Sequence, residues 1–191
     1  FDDKFEGEKI EIDRKKFLSL LNKTKISISN DDTRHYLNGI YLHATESNKN
    51  TFLTGVATDS HRLSSSSILV ENIKNFASII IPRKTVFQLC SLLDSIDEKL
   101  IIQASPNKIK FSTGKINLIS KVIDGKFPDY QKVVPKENTK TLVVASFDFI
   151  SSVERVASVS IDRKEGVKLE LSQDKLKLSV NSANSGDGNE V

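Results

Sequence analysis

The chain contains no methionine and a single cysteine among its 191 residues. Without a methionine it lacks a natural start, and we read it as a piece of a longer protein. One thiol, Cys90, excludes an internal disulfide and fits a reducing compartment, so a cytoplasmic location is expected. No secretory signal opens the sequence. No apolar run approaches the roughly 20 residues that would cross a bilayer, so no membrane partner is expected. A glycine-rich phosphate loop is missing, and so is a Gly-x-Ser-x-Gly nucleophile elbow. His35 and His43 lack metal-ligand spacing. No cofactor and no metal are therefore expected. Neither sign of charge dominates: 28 basic and 25 acidic residues leave a formal net charge of +3. That balance alone does not define a nucleic-acid binder, so the distribution of charge has to decide.

What is present is a recurring pattern. Hydrophobic residues make up 38% of the chain, enough for one domain with a sizeable core and part of another. Three segments read as a short apolar strand running into a helix: Lys9 to Ser27, Ser78 to Asp94 and Thr141 to Val159. Their helix starts fall at Asp13, Pro82 and Ser146, residue types that suit an N-cap or a first turn. Helical spacing gives one apolar stripe at Val86, Leu89, Cys90 and Leu93, another at Phe17, Leu18 and Leu21, and a third at Ile150, Val153 and Ala157. Alternating segments after each helix predict strands at Tyr36 to His43, Phe52 to Ala57, Leu100 to Ala104, Lys108 to Ser112, Lys115 to Val122, Val167 to Leu171 and Leu176 to Val180. Each unit is thus one strand, one helix, then several strands, an α+β pattern with helices on one face of antiparallel sheets. A linker is placed at Pro135 to Thr139 and a polar loop at Asn184 to Asn189.

The helices carry a charge bias that the whole chain does not. Arg14 to Lys25 holds Arg14, Lys15, Lys16, Lys23 and Lys25 with no acidic residue, and Arg83 to Leu93 holds Arg83 and Lys84 with none. Cations in a first helical turn oppose the helix dipole by about 0.3–1 kcal/mol each. Two readings stand side by side: a solvated face, or a row of phosphate-neutralising cations. That both aligned starts carry Arg-Lys favours the second. Elsewhere, Asp59-Ser60-His61 invites a hydrolase reading, but neighbours on an extended chain alternate faces and cannot form a relay with one another. Cys90 on an apolar stripe reads as a core thiol. Three classes therefore compete: a DNA-contacting protein without chemistry, a small hydrolase using Asp59 and His61, and a scaffold whose basic helices never meet DNA.

Four segments, in order and compatibly spaced, carry a family resemblance: Arg34-His35-Tyr36-Leu37-Asn38-Gly39, Val56-Ala57-Thr58-Asp59-Ser60-His61-Arg62-Leu63, Ile81-Pro82-Arg83-Lys84 and Asp124-Gly125-Lys126-Phe127-Pro128-Asp129-Tyr130. Together they resemble the bacterial replicative sliding clamps, the beta subunit of DNA polymerase III. The resemblance implies a DNA clamp fold, with residues 1–138 as the middle domain and 139–191 as the first half of the C-terminal domain. It implies a head-to-tail homodimeric ring in the full-length protein, a processivity factor that encircles and slides on double-stranded DNA without catalysing a reaction. Its implied partners are the polymerase III alpha subunit, the clamp loader, other DNA polymerases and repair proteins, all docking through linear peptides. The implied peptide cleft carries over to Leu37, Thr58, Ser60, His61, Arg62, Leu63, Pro128, Lys132 and Val133, with further cleft residues expected beyond Val191. Implied DNA contacts fall on the loop residues Arg34, His35 and Tyr36. Charge adds Arg14, Lys15, Lys23, Lys25, Arg83 and Lys84 as DNA candidates. Three departures stand out: Ser60 where the family has Gly, Lys132 where it has Arg, and His35 where it has Tyr.

Overall fold

The computed structural model describes residues 5–71, 73, 75–95, 98–160, 165–182 and 186–191. The chain divides into two compact units, Phe1–Tyr130 and Gln131–Val191.

The first unit is built from the repeat. Strand β1 (Lys9–Ile12) runs into helix α1 (Arg14–Thr24), followed by β2 (Gly39–Ser47), β3 (Asn50–Thr58) and β4 (Leu63–Leu69). Then β5 (Ile79–Pro82) runs into α2 (Arg83–Asp94), followed by β6 (Leu100–Ala104), β7 (Lys108–Thr113) and β8 (Ile116–Lys121). Asp13 caps α1 as its residue type suggests, accepting from the Lys16 backbone N–H at 2.9 Å. Two antiparallel sheets form, with strand orders β1-β6-β7-β8 and β4-β3-β2-β5. Each leading strand crosses over: β1 pairs with β6, and β5 pairs with β2. The sheets meet where Ile80 of β5 bridges Ile123, just past β8.

Both helices lie on the inner face of this sheet pair and touch each other. On α1 the buried residues are Phe17, Leu20, Leu21 and Thr24, so Leu20 takes the position assigned to the half-buried Leu18. On α2 they are Thr85, Val86, Leu89, Cys90 and Leu93, which contains the expected stripe. Burial pushes the Cys90 thiol up despite the nearby Lys25 ammonium, as for an inert core thiol. Phe17 of α1 and Phe111 of β7 meet at the centre, ring centroids 5.9 Å apart. This contact joins the first repeat's helix to the second repeat's sheet.

The second unit holds α3 (Ser146–Ala157) and the strands β9 (Lys168–Leu171), β10 (Leu176–Ser182) and β11 (Gly186–Glu190), in the order β11-β10-β9. Its small core is Val156, Leu178 and Val180, with Phe149, Val153, Val167 and Leu176 against it. Ser152 and Arg155 of α3 both bond the Glu190 carboxylate.

Several expectations need correction. The strand foreseen at Tyr36 to His43 begins only at Gly39, because Asp31 accepts from Thr33 and starts a 3-10 turn over Asp32–Leu37. Gly39 must then pass close to β5: a Cβ there would sit 2.2 Å from the Ile81 carbonyl oxygen. Strand β4 was not among the expected strands, because its run of four serines carries no apolar alternation. Its hydroxyls are instead satisfied laterally, Ser64 with Ser27 at 2.6 Å and Ser67 with Thr54 at 2.9 Å. In the second unit Thr141 to Ala145 forms no strand, and Ala145 rather than Ser146 takes the N-cap position. The core-facing stripe of α3 is Phe149, Val153 and Val156, with Val156 buried and the other two partly so, and Ile150 is exposed. Residues 186–189 of the foreseen loop lie in β11, held by pairing to β10; residues 184–185 fall outside the described residues. Residues 135–139 carry neither helix nor strand.

Because Phe111 is 1% exposed and packs on Phe17, Phe111→Ala should lower unfolding free energy by about 3–5 kcal/mol, measured by urea denaturation.

Candidate functional site

The outer face of the β4-β3-β2-β5 sheet carries a second, smaller apolar cluster. Leu37, Val56, Ile80 and Phe127 are buried in it, with Tyr36, Tyr41, Leu63, Ile123 and Tyr130 packed around them. Strand alternation makes this possible: Tyr41, Val56, Leu63 and Ile80 point outward while Leu42, Leu53, Ala57 and Ile81 point to the main core. The Asp124 to Tyr130 segment returns across this face. Phe127 stacks flat on Tyr41, centroids 4.9 Å apart and planes 7° from parallel. Gly125 has φ +154, and a Cβ there would press to 3.0 Å on the Tyr36 Cβ. The Asp-Gly-Lys-Phe-Pro-Asp-Tyr motif is therefore spelled by how that segment crosses the sheet.

Beside the cluster stands the tight turn from Thr58 to Arg62. The Thr58 hydroxyl donates to the Arg62 carbonyl at 2.7 Å and accepts from the Ser60 N–H at 3.1 Å. Asp59 accepts from the backbone N–H of His61 and of Arg62, each at 3.0 Å, and from the Arg62 guanidinium at 3.1 Å. Burial pushes the Asp59 carboxyl up, but the N–H groups of Arg62 and His61 and the Arg62 charge outweigh it, and the carboxyl lies below its ordinary range. This carboxylate closes a turn rather than orienting an imidazole, so the geometry gives the hydrolase reading no support. Among the described residues no three His, Cys, Asp or Glu side chains gather as a metal site.

Ser60 has φ +77, the left-handed region where glycine is unstrained. Its hydroxyl accepts from Arg34 at 2.5 Å, and Arg34 also donates to Asp31 at 2.8 Å. The hydroxyl and N–H of Thr33, then the Arg34 charge, bring the Asp31 carboxyl down to about 2. Arg34, foreseen as a DNA contact, is thus held between Asp31 and the cleft turn. Tyr36 is half-buried against the cluster, and of this loop's three candidates only His35 is exposed.

The cleft candidates sort as follows. Leu37 and Leu63 share the apolar cluster, Thr58, Ser60, His61 and Arg62 form the turn, and Pro128 is exposed next to buried Phe127. Lys132 and Val133 belong to the second unit. Tyr41, Val56, Ile80 and Phe127 were not foreseen, although the outward parity of their strands was a readable signal for the first three.

The basic candidates lie along two antiparallel helices. Arg14, at the start of α1, donates to the Leu93 carbonyl at the end of α2, satisfying an orphan helix acceptor. Arg14, Lys15 and Lys23 line one shallow hollow, which Asp94 also borders. At the other end Lys25 and Arg83 both lie over the Phe87 ring, 5.5 and 4.9 Å from its centroid. Lys15, Lys23 and Lys84 are exposed, while Arg14, Lys25 and Arg83 are half-buried.

A doubled strand–helix–strands unit with a basic helix pair inside and an apolar ledge outside defines a clamp-type α+β fold. The family model for the DNA polymerase III beta subunit, central domain, matches residues 11–129, and that for its C-terminal domain matches residues 131–191. The chain belongs to the DNA polymerase III beta subunit family. It is 37% identical over 181 residues to the beta sliding clamp of Caulobacter vibrioides, covering 94% of this chain and 49% of that protein. To the beta sliding clamp of Escherichia coli K12 it is 35% identical over 172 residues, covering 90% and 46%. The chain therefore spans about half the length of these relatives. The crystal structure of the C. crescentus beta sliding clamp with PEG bound to its putative beta-motif tethering region superposes with a TM-score of 0.95 at 36% identity, covering 100% of this chain and 51% of that one. A sliding clamp from Bartonella birtlesii bound to griselimycin gives 0.90 at 39% identity, covering 100% and 52%.

The φ of Ser60 separates two effects. Ser60→Ala keeps the strained backbone and loses the Arg34 bond, whereas Ser60→Gly loses the bond and relieves the strain. The glycine variant should be more stable than the alanine variant by about 1–2 kcal/mol in urea melts.

Proposed function

We propose that this chain is the working middle of a processivity factor for the bacterial replicative DNA polymerase. In this reading residues 1–138 form the middle domain of a sliding clamp and 139–191 the first half of its C-terminal domain. The full-length protein closes as a head-to-tail homodimeric ring around duplex DNA in the cytoplasm. It catalyses nothing itself. It holds the polymerase III alpha subunit, clamp loader, other polymerases and repair proteins through their linear peptides.

The observation that carries the reading is the apolar ledge of Leu37, Leu63 and Phe127 beside the polar turn Thr58–Arg62. Apolar walls with a few fixed polar groups suit a peptide anchor, in which side chains fill the wall and backbone groups meet the turn. A relative of the same fold is described as bound to griselimycin and another as holding PEG at a putative beta-motif tethering region, which supports a ligand-accepting surface here. Leu63→Asp would set a carboxylate against the apolar anchor. In the full-length protein, calorimetry should show griselimycin binding lost or weakened at least tenfold, with urea melts run in parallel to confirm folding. Binding that is unchanged in the folded variant would end the cleft reading.

Contact with DNA rests on Lys15, Lys23 and Lys84, the exposed ones among the DNA candidates of the helix pair, with Arg14, Lys25 and Arg83 shaping the same surface. Phosphate contacts carry no sequence information, which suits a tether that must slide. Replacing Lys15, Lys23 and Lys84 with Gln should weaken duplex binding. It should also flatten the dependence of log affinity on log salt concentration by up to about 0.9 per lysine. An unchanged salt slope would favour a scaffold that never meets DNA.

A further inference from the structure

His43 stands on β2 facing outward, yet it is 8% exposed. Three rings enclose it in series: Phe127 stacks on Tyr41, Tyr41 stacks on His43 at 4.6 Å, and Tyr130 meets His43 edge-on at 5.8 Å. Its Nδ1 lies 3.2 Å from the Ala44 carbonyl, which can only accept, so that nitrogen carries the proton. Nε2 is then the acceptor of the neutral ring, and the Tyr130 hydroxyl at 3.2 Å donates to it. Tyr130 ends the segment that carries Phe127 and Pro128, and it begins the 3-10 turn Tyr130–Lys132. The imidazole therefore grips that segment at its far end, while Tyr41 grips it through Phe127.

We infer that His43 is a positioning residue for the peptide cleft: through Tyr130 and the Tyr41–Phe127 stack it holds residues 127–130 against the sheet, and charging the imidazole loosens that hold and weakens ligand binding. This rests on the cleft reading above. The chemistry follows from the hydrogen-bond roles. A second proton on Nε2 turns the acceptor into a donor, so the Tyr130 hydroxyl must reverse its role, and a cation must sit where water is excluded. No carboxylate stands ready on the neighbouring strands. His43 lies across from Thr54, which bonds Ser67, and β3 and β4 carry no ionisable side chain. On its own strand the titratable groups are Tyr41 and Glu46, and on the returning segment they are Asp124, Lys126, Asp129 and Tyr130. Burial pushes the His43 imidazole below its ordinary 6.5, with the Ala44 carbonyl pulling the other way. The fold thus favours the neutral ring, and that contribution is complete above pH 6.5 and is lost as pH falls through the lower folded value.

The test has two arms. In the full-length protein, griselimycin binding is measured by calorimetry at pH 7.5 and 5.5, and amide-exchange protection over Ile123–Tyr130 is measured without ligand. Both are done for the wild type, His43→Gln and Tyr130→Phe. In the wild type, affinity should fall on acidification, by less than the roughly tenfold limit that one pKa unit of coupling sets, and protection of the segment should fall with it. His43→Gln should lose less affinity on acidification than the wild type, whereas a merely structural role would weaken binding without changing its pH dependence. Tyr130→Phe keeps the ring and loses the hydroxyl, so its segment should already be less protected at pH 7.5. A wild-type pH profile in His43→Gln, or protection that does not respond to pH in the wild type, would overturn the proposal. Absence of griselimycin binding at both pH values would overturn the cleft reading and the functional role of His43 with it. The exchange arm would then show separately whether the ring latch exists.

Discussion

The first unit depends on the exchange of its leading strands. Had β1 paired within its own repeat, two half-units would form, each with a helix covering one small sheet. Instead β1 completes the second repeat's sheet and β5 the first's. Neither repeat can then bury its sheet edge alone, and the two helices are forced side by side beneath the joined sheets. The Phe17–Phe111 contact is the packing expression of this exchange, since it joins a helix of one repeat to a strand of the other. Such interlocking makes the unit fold as one body rather than as two additive repeats.

The helices' arrangement follows, and with it the distribution of charge. Antiparallel packing brings the first turn of α1 to the last turn of α2, which lets Arg14 satisfy a carbonyl that α2 leaves open. A basic residue that looks wrong for its own helix dipole is right for its neighbour's C-terminus. Lys25 and Arg83 meet at the opposite crossing over Phe87. The charge bias that suggested phosphate contact thus has a partly structural origin, and the exposed Lys15, Lys16, Lys23 and Lys84 are left as the cations free of that explanation.

Legibility in the sequence followed the strength of periodic signals. The strand-into-helix units around Asp13 and Pro82 were readable because cap residues and helical stripes agreed. Strand β4 was not, because its stability comes from hydroxyl pairs between strands, and no one-dimensional pattern marks Ser64 and Ser67 as paired. Thr141 to Ala145 looks like β1 but forms no strand, and among the described residues no strand pairs with it; apolar alternation is a demand for a partner, not a guarantee of one. The outer apolar cluster was legible as motifs but not as a surface. Nothing in Asp-Gly-Lys-Phe-Pro-Asp-Tyr shows that its Phe stacks on Tyr41 or its Tyr on His43, since both contacts cross some 85 residues of chain.

The departure at Ser60 and the hold on Arg34 belong to one local exchange. A serine in a left-handed turn is strained, and a glycine would remove the strain. The serine hydroxyl gives in return an acceptor for Arg34, which Asp31 also holds. Because the Asp31 carboxyl stays ionised down to about pH 2, that grip persists across the whole neutral range. The loop carrying His35 and Tyr36 is therefore tied to the turn carrying His61 and Arg62, and Gly125 lets the returning segment close over Tyr36. Three stretches far apart in sequence become one rigid ledge. Under the reading proposed above, a ligand anchoring on Leu37 and Leu63 would meet a surface already ordered, and little conformational entropy would remain to be lost on binding.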